Sequence, residues 1–192
     1  MHGAEFSHSL FEKAANIRLL LTDCDGVLTD AGVYYSANGE ALKRFSMRDG
    51  MGVERLRNLA DVETGIVTGE NSPIVAHRAE KLQIVELHLG AKNKKQVLAD
   101  LLERRQLTPE QVAYIGDDTN DEAVMRAVGL TACPADAMED ILKIADYICQ
   151  KTGGHGAFRE FAELIIQAKS QLVNLDFPSK TERHVYETLK VS

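Results

Sequence analysis

Several things are scarce or missing in this 192-residue sequence, and each narrows what it does. There is no run of basic residues. With 22 Lys and Arg against 29 Asp and Glu, the formal net charge is -7, which argues against nucleic acid or a membrane surface as partner. No apolar stretch approaches the roughly 18 residues of a membrane span, and no signal-peptide pattern is present, so a cytoplasmic protein is expected. Cysteine occurs three times, as Cys24, Cys133 and Cys149, an odd count without C-x-x-C spacing. That excludes a disulfide framework or zinc site and leaves reduced, buried thiols. No repeat or low-complexity segment appears. What remains is an ordinary globular composition, 44% hydrophobic and 27% charged, long enough for one well-buried domain but not two.

The chain is organised around Asp23-Cys24-Asp25-Gly26-Val27-Leu28-Thr29-Asp30. It follows the apolar run 17–22, which reads as a buried strand. Residues i and i+2 of an extended chain share a face, so Asp23 and Asp25 are expected to face one site while Cys24 points away. Gly26 allows a tight turn. Two like charges this close call for a cation or a shared proton, and a hard, oxygen-liganded ion such as Mg²⁺ suits them. The alternative is a strand-to-turn junction whose aspartates cap a turn.

Beyond it, Asn38-Gly39 between two short strand-like runs predicts a projecting hairpin over about 32–45. Strands are expected at 62–68, 84–87, 112–115, 129–132 and 144–148. Helices are expected at 50–60, 73–82 (with Ser72 as N-cap and Pro73 first), 93–105, 119–127 and 136–142. This alternation implies an α/β fold: a Rossmann-like three-layer sandwich around a central parallel sheet. Ligands bind at the carboxyl ends of strands in such sheets, and Asp23, Thr68 and Asp117 each sit just past one. Residues 1–16 read as an N-terminal arm, 17–172 as the domain and 173–192 as a tail. Gly153-Gly154-His155-Gly156 reads as a flexible turn in which His155 supports the bend, before helical spacing from Phe158 onward.

The octapeptide resembles the first motif of the haloacid dehalogenase superfamily of phosphotransferases. That resemblance implies Asp23 as the nucleophile that accepts the phosphoryl group and Asp25 as general acid and base. Phosphoryl transfer also needs charge neutralisation and an in-line geometry. Thr68, in Thr68-Gly69, offers a hydroxyl, and the following amides a helix start, to the phosphate. Lys94 offers a compact cation. The resemblance implies that Asp117, in Gly116-Asp117-Asp118-Thr119-Asn120-Asp121, completes a Mg²⁺ site with Asp23 and the main-chain oxygen of Asp25. Asp118 and Asp121 stand behind it, Asp118 as a possible helix cap and Asp121 as a partner of Lys94 or of metal-bound water. Individually, Thr68-Gly69 also fits a plain strand exit, and Lys94 shares a solvated run with Lys92 and Lys95. No segment is long enough to form the cap domain that many members carry.

With Arg48-Asp49-Gly50 and the terminal Gly-Gly-x-Gly-x-x-Arg-Glu, residues 15–172 resemble the capless 3-deoxy-D-manno-octulosonate 8-phosphate phosphatases. This implies a phosphorylated 3-deoxy keto sugar acid as substrate, the lipopolysaccharide-sugar pathway, and a homotetramer whose hairpins and tails complete neighbouring sites. Arg48 and Arg159 are the candidates for contact with the sugar acid or with another subunit; each also fits a surface ion pair. Gly69-Glu70 and Lys81 resemble instead the sister phosphatases of nonulosonate 9-phosphates (KDN or N-acetylneuraminate). A receiver-like phosphorylated switch is the non-enzyme alternative; it is disfavoured because no Asp follows the second strand.

Overall fold

Strand β1 (Leu19–Thr22) is buried over its whole length because it has neighbours in the sheet on both sides and helices on both faces. It pairs in parallel with β4 (Glu63–Val67) and β6 (Val112–Ile115). Outward from these lie β5 (Glu86–His88) on one side, and β7 (Leu130–Cys133) and β8 (Tyr147–Ile148) on the other. The six-stranded order is β5-β4-β1-β6-β7-β8. The structure, a computed structural model, describes residues 8–176. Residues 1–7 of the expected arm and 177–192 of the expected tail lie outside the described residues.

The pleat sends alternate side chains of β1 to opposite layers. Leu20 joins Ile66, Ala113 and Ile115 under α1 (His8–Asn16), α2 (Met47–Ala60) and α7 (Ala157–Asp176). Leu19 and Leu21 join Val67 and Tyr114 under α4 (Lys94–Arg105) and α5 (Glu122–Met125). Phe158 and Phe161 of α7 are fully buried, as is Ala14 of α1, so the N-terminal segment is, from His8 on, a packed helix. No described helix is long and apolar enough to cross a membrane.

The hairpin comprises β2 (Thr29–Ser36) and β3 (Gly39–Phe45), antiparallel and separate from the main sheet. Its tip is Ala37–Asn38 rather than Asn38-Gly39. Gly39 begins the return strand with φ +104°, a conformation that glycine takes without strain. Between Asp30 and Thr68 the chain makes only this hairpin, α2 and β4. Between Thr68 and Lys94 it makes only α3 (Pro73–Lys81) and β5. No cap domain is inserted.

Other elements differ from expectation for local reasons. The strand expected at 84–87 starts late because Gln83 is left-handed (φ +56°) and Ile84 N–H still caps the preceding helix by donating to Ala79 O. The strand expected at 144–148 shrinks to two residues. Ile144 and Ala145 N–H groups donate back to Ile141 O, and the Asp146 carboxylate accepts from Thr131 N–H at 2.9 Å. The helix expected at 119–127 begins as a 3-10 turn (Thr119–Asp121) because Asp121 turns inward, and only 122–125 is α-helical. The segment expected as a helix at 136–142 is helical only over α6 (Glu139–Leu142). Ser72 precedes α3 as expected, yet its side chain makes no capping bond.

Candidate active site

Asp23 is the first residue beyond β1. Its N–H donates to Ile115 O at 3.0 Å, extending the ladder to β6 by one residue and fixing the side chain at the carboxyl edge of the sheet. The chain then coils, with Cys24 O accepting from Leu28 N–H (2.9 Å) and Thr29 N–H (3.0 Å), while the Cys24 thiol is buried in the core. Gly26 has φ +85°, and a Cβ there would lie 1.9 Å from Asp117 Oδ2. Glycine is required twice, for the left-handed backbone and to let Asp117 approach. Thr68 follows β4 and Asp117 stands two residues past β6. Because β4, β1 and β6 are adjacent, one crevice holds all three.

Donors around these acids are specific. Asp23 Oδ1 accepts from Cys24 N–H at 2.7 Å, and its Oδ2 lies 3.0 Å from Lys94 Nζ. Lys94 opens α4, is buried, and also reaches Asp121 Oδ1 at 2.7 Å. The Tyr114 hydroxyl donates to that same oxygen at 2.6 Å, and Asp117 N–H donates to Asp121 Oδ2 at 3.2 Å. Both oxygens of Asp121 therefore accept hydrogen bonds, Oδ1 from Lys94 and Tyr114 and Oδ2 from the Asp117 N–H. Asp118 is exposed and caps the following turn by accepting from Thr119 N–H at 2.6 Å. Thr68 is buried, and its hydroxyl accepts from Glu70 N–H at 3.3 Å.

Carboxylate oxygens of Asp23, Asp117 and Asp121 lie within 4.8 Å of one another. One ammonium is too little charge for three acids. Burial pushes the Asp23 carboxyl up to about 7, with Asp121 adding to the effect and Lys94 opposing it. Burial, then Asp23, Asp121 and Asp118, push Asp117 up to about 8. Burial works against the Lys94 ammonium, but Asp23 and Asp121 outweigh it and hold its pKa above the usual value. Asp117 Oδ1 is buried with no hydrogen-bond partner among the described residues. An orphaned carboxylate oxygen beside acids short of positive charge fits a hard divalent cation.

These shifts make the stability of the metal-free protein depend on pH. Asp23 and Asp117 bind protons more tightly folded than unfolded, where their ordinary value is 3.8. Their contribution is therefore full below pH 4 and is lost as pH rises through 7 to 8. We expect the metal-free protein to melt roughly 10 °C or more lower at pH 8 than at pH 5. Asp117→Asn should flatten that dependence, as measured by scanning calorimetry; an unchanged pH profile in the variant would contradict the assignment.

The Asp25 carboxylate stands apart from this cluster, because the chain has left the extended conformation by residue 25. It faces the hairpin, where Lys43 Nζ lies 2.5 Å from Oδ2 and the Thr29 hydroxyl donates to Oδ1 at 3.2 Å. Behind the same loop lies the glycine-rich turn. A Cβ on Gly153 would meet Gly26 O at 1.8 Å, and Gly154 N–H donates to Val27 O at 2.9 Å. This turn is packed, not flexible. Its three glycines are buried because two backbones touch there, and the buried Asp49 carboxylate accepts from Gly156 N–H (3.1 Å) and Arg159 N–H (2.9 Å) at the start of α7. His155 Nδ1 lies 2.8 Å from Gly153 O and braces the bend.

Residues 66–161 match the haloacid dehalogenase-like hydrolase family. The 3-deoxy-D-manno-octulosonate 8-phosphate phosphatase of Escherichia coli K12 is 43% identical over 166 residues, 86% of this chain and 88% of that one. The chain belongs to the 3-deoxy-D-manno-octulosonate 8-phosphate phosphatase family. The Yersinia pestis member superimposes with a TM-score of 0.82 at 42% identity, covering 86% of this chain and 89% of that one. The Moraxella catarrhalis member, solved with magnesium, phosphate and KDO, has a TM-score of 0.83 at 33% identity, covering 89% and 96%.

Not every family position expected from sequence converges on the acids. Arg48 is exposed at the start of α2. Arg159 pairs with Glu163 at 2.7 Å, a carboxylate it shares with Arg55, also at 2.7 Å. Glu70 is exposed beside Lys92 at 3.8 Å, and Gly69 is half-buried next to it. Lys81 ends α3, whose nine residues put its ends about 12 Å apart, so Glu70 and Lys81 do not pair within one chain. Two participants escaped the sequence reading. Tyr114 looks like a core aromatic in Val-Ala-Tyr-Ile, and only its spacing from Asp117 hints at more. Lys43 lies among exposed hairpin residues, and its alternation with Leu42 and Arg44 is the one available signal.

Proposed function

We propose that this phosphatase hydrolyses 3-deoxy-D-manno-octulosonate 8-phosphate to the free sugar acid and phosphate, with Mg²⁺, as a step in making the sugar of lipopolysaccharide. The catalytic unit is the single domain over about residues 17–172. The observation that carries the substrate is the 43% identity over 86% of the chain with a phosphatase of that name. The donor set around Asp23 and Asp117 supports the chemistry, and the magnesium, phosphate and KDO bound by the Moraxella catarrhalis relative support the metal and ligand.

In this reading Asp23 attacks phosphorus, forming an acyl phosphate as the bond to the sugar oxygen breaks. Asp25 gives its proton to that leaving oxygen. It then takes one from the water that attacks phosphorus and frees Asp23. Lys94 holds the Asp23 carboxylate in line, anchored in turn by Asp121. Thr68 and the Gly69 amide receive the phosphoryl oxygens. Asp23, Asp117 and the main-chain oxygen of Asp25 would hold the Mg²⁺, which supplies neutralisation of charge on the transferring group. Arg48 is assigned to the sugar-acid carboxylate; Glu70, Lys81 and Arg159 are assigned to further substrate contacts, made across subunits.

Tyr34, Tyr35 and Leu42 of the hairpin and Met47 and Met51 of α2 are exposed. Apolar surface gathered this way supports a homotetramer in which hairpins meet and cover neighbouring sites. Light scattering should give four chains per particle; a fully active monomer would refute the shared site. Three free, buried thiols are consistent with a cytoplasmic enzyme.

Steady-state rates on eight- and nine-carbon keto acid phosphates, side by side, test the substrate. A preference for the eight-carbon ester of about tenfold or more, the range a few pocket contacts provide, is expected. A reversed preference would move the enzyme to the sister specificity.

A further inference from the structure

Hydrophobic patterning is inverted on β3. Leu42 and Arg44 face solvent, and Lys43 is the one fully buried residue of the strand, its side chain 1% exposed. A lysine is buried at a cost unless paired. In this register the buried lysine is ion-paired. Lys43 Nζ lies 2.5 Å from Asp25 Oδ2 and 3.4 Å from Glu40 Oε2. Glu40 is fastened in turn to the body of the domain, because the buried Ser72 hydroxyl donates to its Oε1 instead of capping α3. From the other side, Thr29 holds Asp25 Oδ1 at 3.2 Å, and Thr29 is itself buried.

We propose that Lys43 is a positioning residue for the phosphatase reaction: it fixes the Asp25 carboxyl group where the leaving oxygen must collect its proton, and the Glu40–Ser72 contact locks Lys43 in place. This rests on the acid role given to Asp25 above. In the step concerned, the bond from Asp23 to phosphorus forms and the bond from phosphorus to the sugar oxygen breaks. Asp25 gives the sugar oxygen a proton carried on Oδ1, the oxygen that Lys43 does not hold, and the carboxylate left behind is neutralised by the Lys43 ammonium, which keeps its own protons throughout. A carboxyl group gripped at both oxygens offers one approach to the substrate, and orientation of this kind is a large part of what a catalytic group contributes. The hairpin is then part of the catalytic apparatus of its own chain, apart from any role between subunits.

The leaving group provides the test. A sugar alkoxide departs poorly without a proton, whereas p-nitrophenolate departs without help. Lys43→Met is expected to lower kcat/KM on the sugar-acid phosphate by about 10²-fold and on p-nitrophenyl phosphate by no more than about threefold, the signature of an impaired general acid. Lys43→Arg should recover part of the loss. Lys43→Met combined with Asp25→Asn should be no worse than Asp25→Asn alone. Mg²⁺ binding by titration calorimetry should be unchanged in Lys43→Met. If that variant folds poorly, Ser72→Ala, which loosens the anchor only, should show the same leaving-group dependence to a smaller degree. Equal losses on both substrates, or additive losses in the double variant, would overturn the proposal while leaving the acid role of Asp25 intact. If Asp25→Asn itself shows no leaving-group dependence, the acid role falls first and the positioning role with it.

Discussion

Replacing Asp23 by Asn is expected to reduce kcat/KM on a phosphate monoester by on the order of 10⁴-fold or more, the scale seen when a covalent nucleophile is removed. The fold should survive. Asn keeps the shape of the side chain and can satisfy either Cys24 N–H or the Lys94 ammonium, though not both. Lys94 retains Asp121 at 2.7 Å. Removing a buried carboxylate also relieves Asp117, whose own carboxyl is pushed up to about 8 partly by Asp23. Loss of an acceptor and relief of repulsion oppose one another, so the melting temperature should move by no more than about 4 °C. Circular dichroism melts beside single-turnover rates will separate the two effects. A variant that turns over normally would remove Asp23 from the nucleophile's role; one that is simply unfolded would show that the acids are held together by Asp23 itself.

Lys94→Met should do what Asp23→Asn does not, and damage stability as well as rate. The ammonium is 4% exposed as a residue and lies between Asp23 and Asp121 at 3.0 and 2.7 Å. Its removal leaves two buried carboxylates without their common partner. Breaking a buried ion pair from one side costs about 3–5 kcal/mol, which is about 6–20 °C in a protein of this size. The loss should depend on pH. At pH 5 the Asp23 carboxyl, already pushed up to about 7 in the intact protein, carries a proton and needs no ammonium. At pH 8 it carries charge. The metal-free variant should therefore fall far short of the metal-free wild type at pH 8 and come closer to it at pH 5, as followed by calorimetry. A deficit that is the same at both pH values would mean that Lys94 acts through its aliphatic stem, not its charge.

The acids were legible in the sequence because their placement follows from a rule that local patterning exposes. Short apolar runs each ended in Asp23, Thr68-Gly69 and Gly116-Asp117, and a parallel sheet brings strand ends to one edge. Lys43 was not legible because its direction depends on the register of a hairpin with irregular pairing, shifted between Thr29 and Val33 and again between Tyr34 and Tyr35. A one-residue change in that register sends the lysine to solvent. Tyr114 was hidden by its surroundings: its ring is a core side chain, and only the hydroxyl reaches Asp121. The turn at Gly153-Gly154 was misread for a different reason. Glycine marks both freedom and close approach, and nothing in the local sequence separates the two. Here the Gly26 carbonyl lies where a side chain would be. The shortened strand at Tyr147–Ile148 reflects tertiary competition, since Asp146 and Ile144 O are taken up by Thr131.

Acid quench of the enzyme during turnover, followed by peptide mass mapping, addresses the phosphoryl-transfer account most directly. The peptide that contains Asp23 should gain the mass of one phosphoryl group, and borohydride should reduce that residue to homoserine. No gain on that peptide under conditions where substrate is consumed, or label found on another residue, would contradict it.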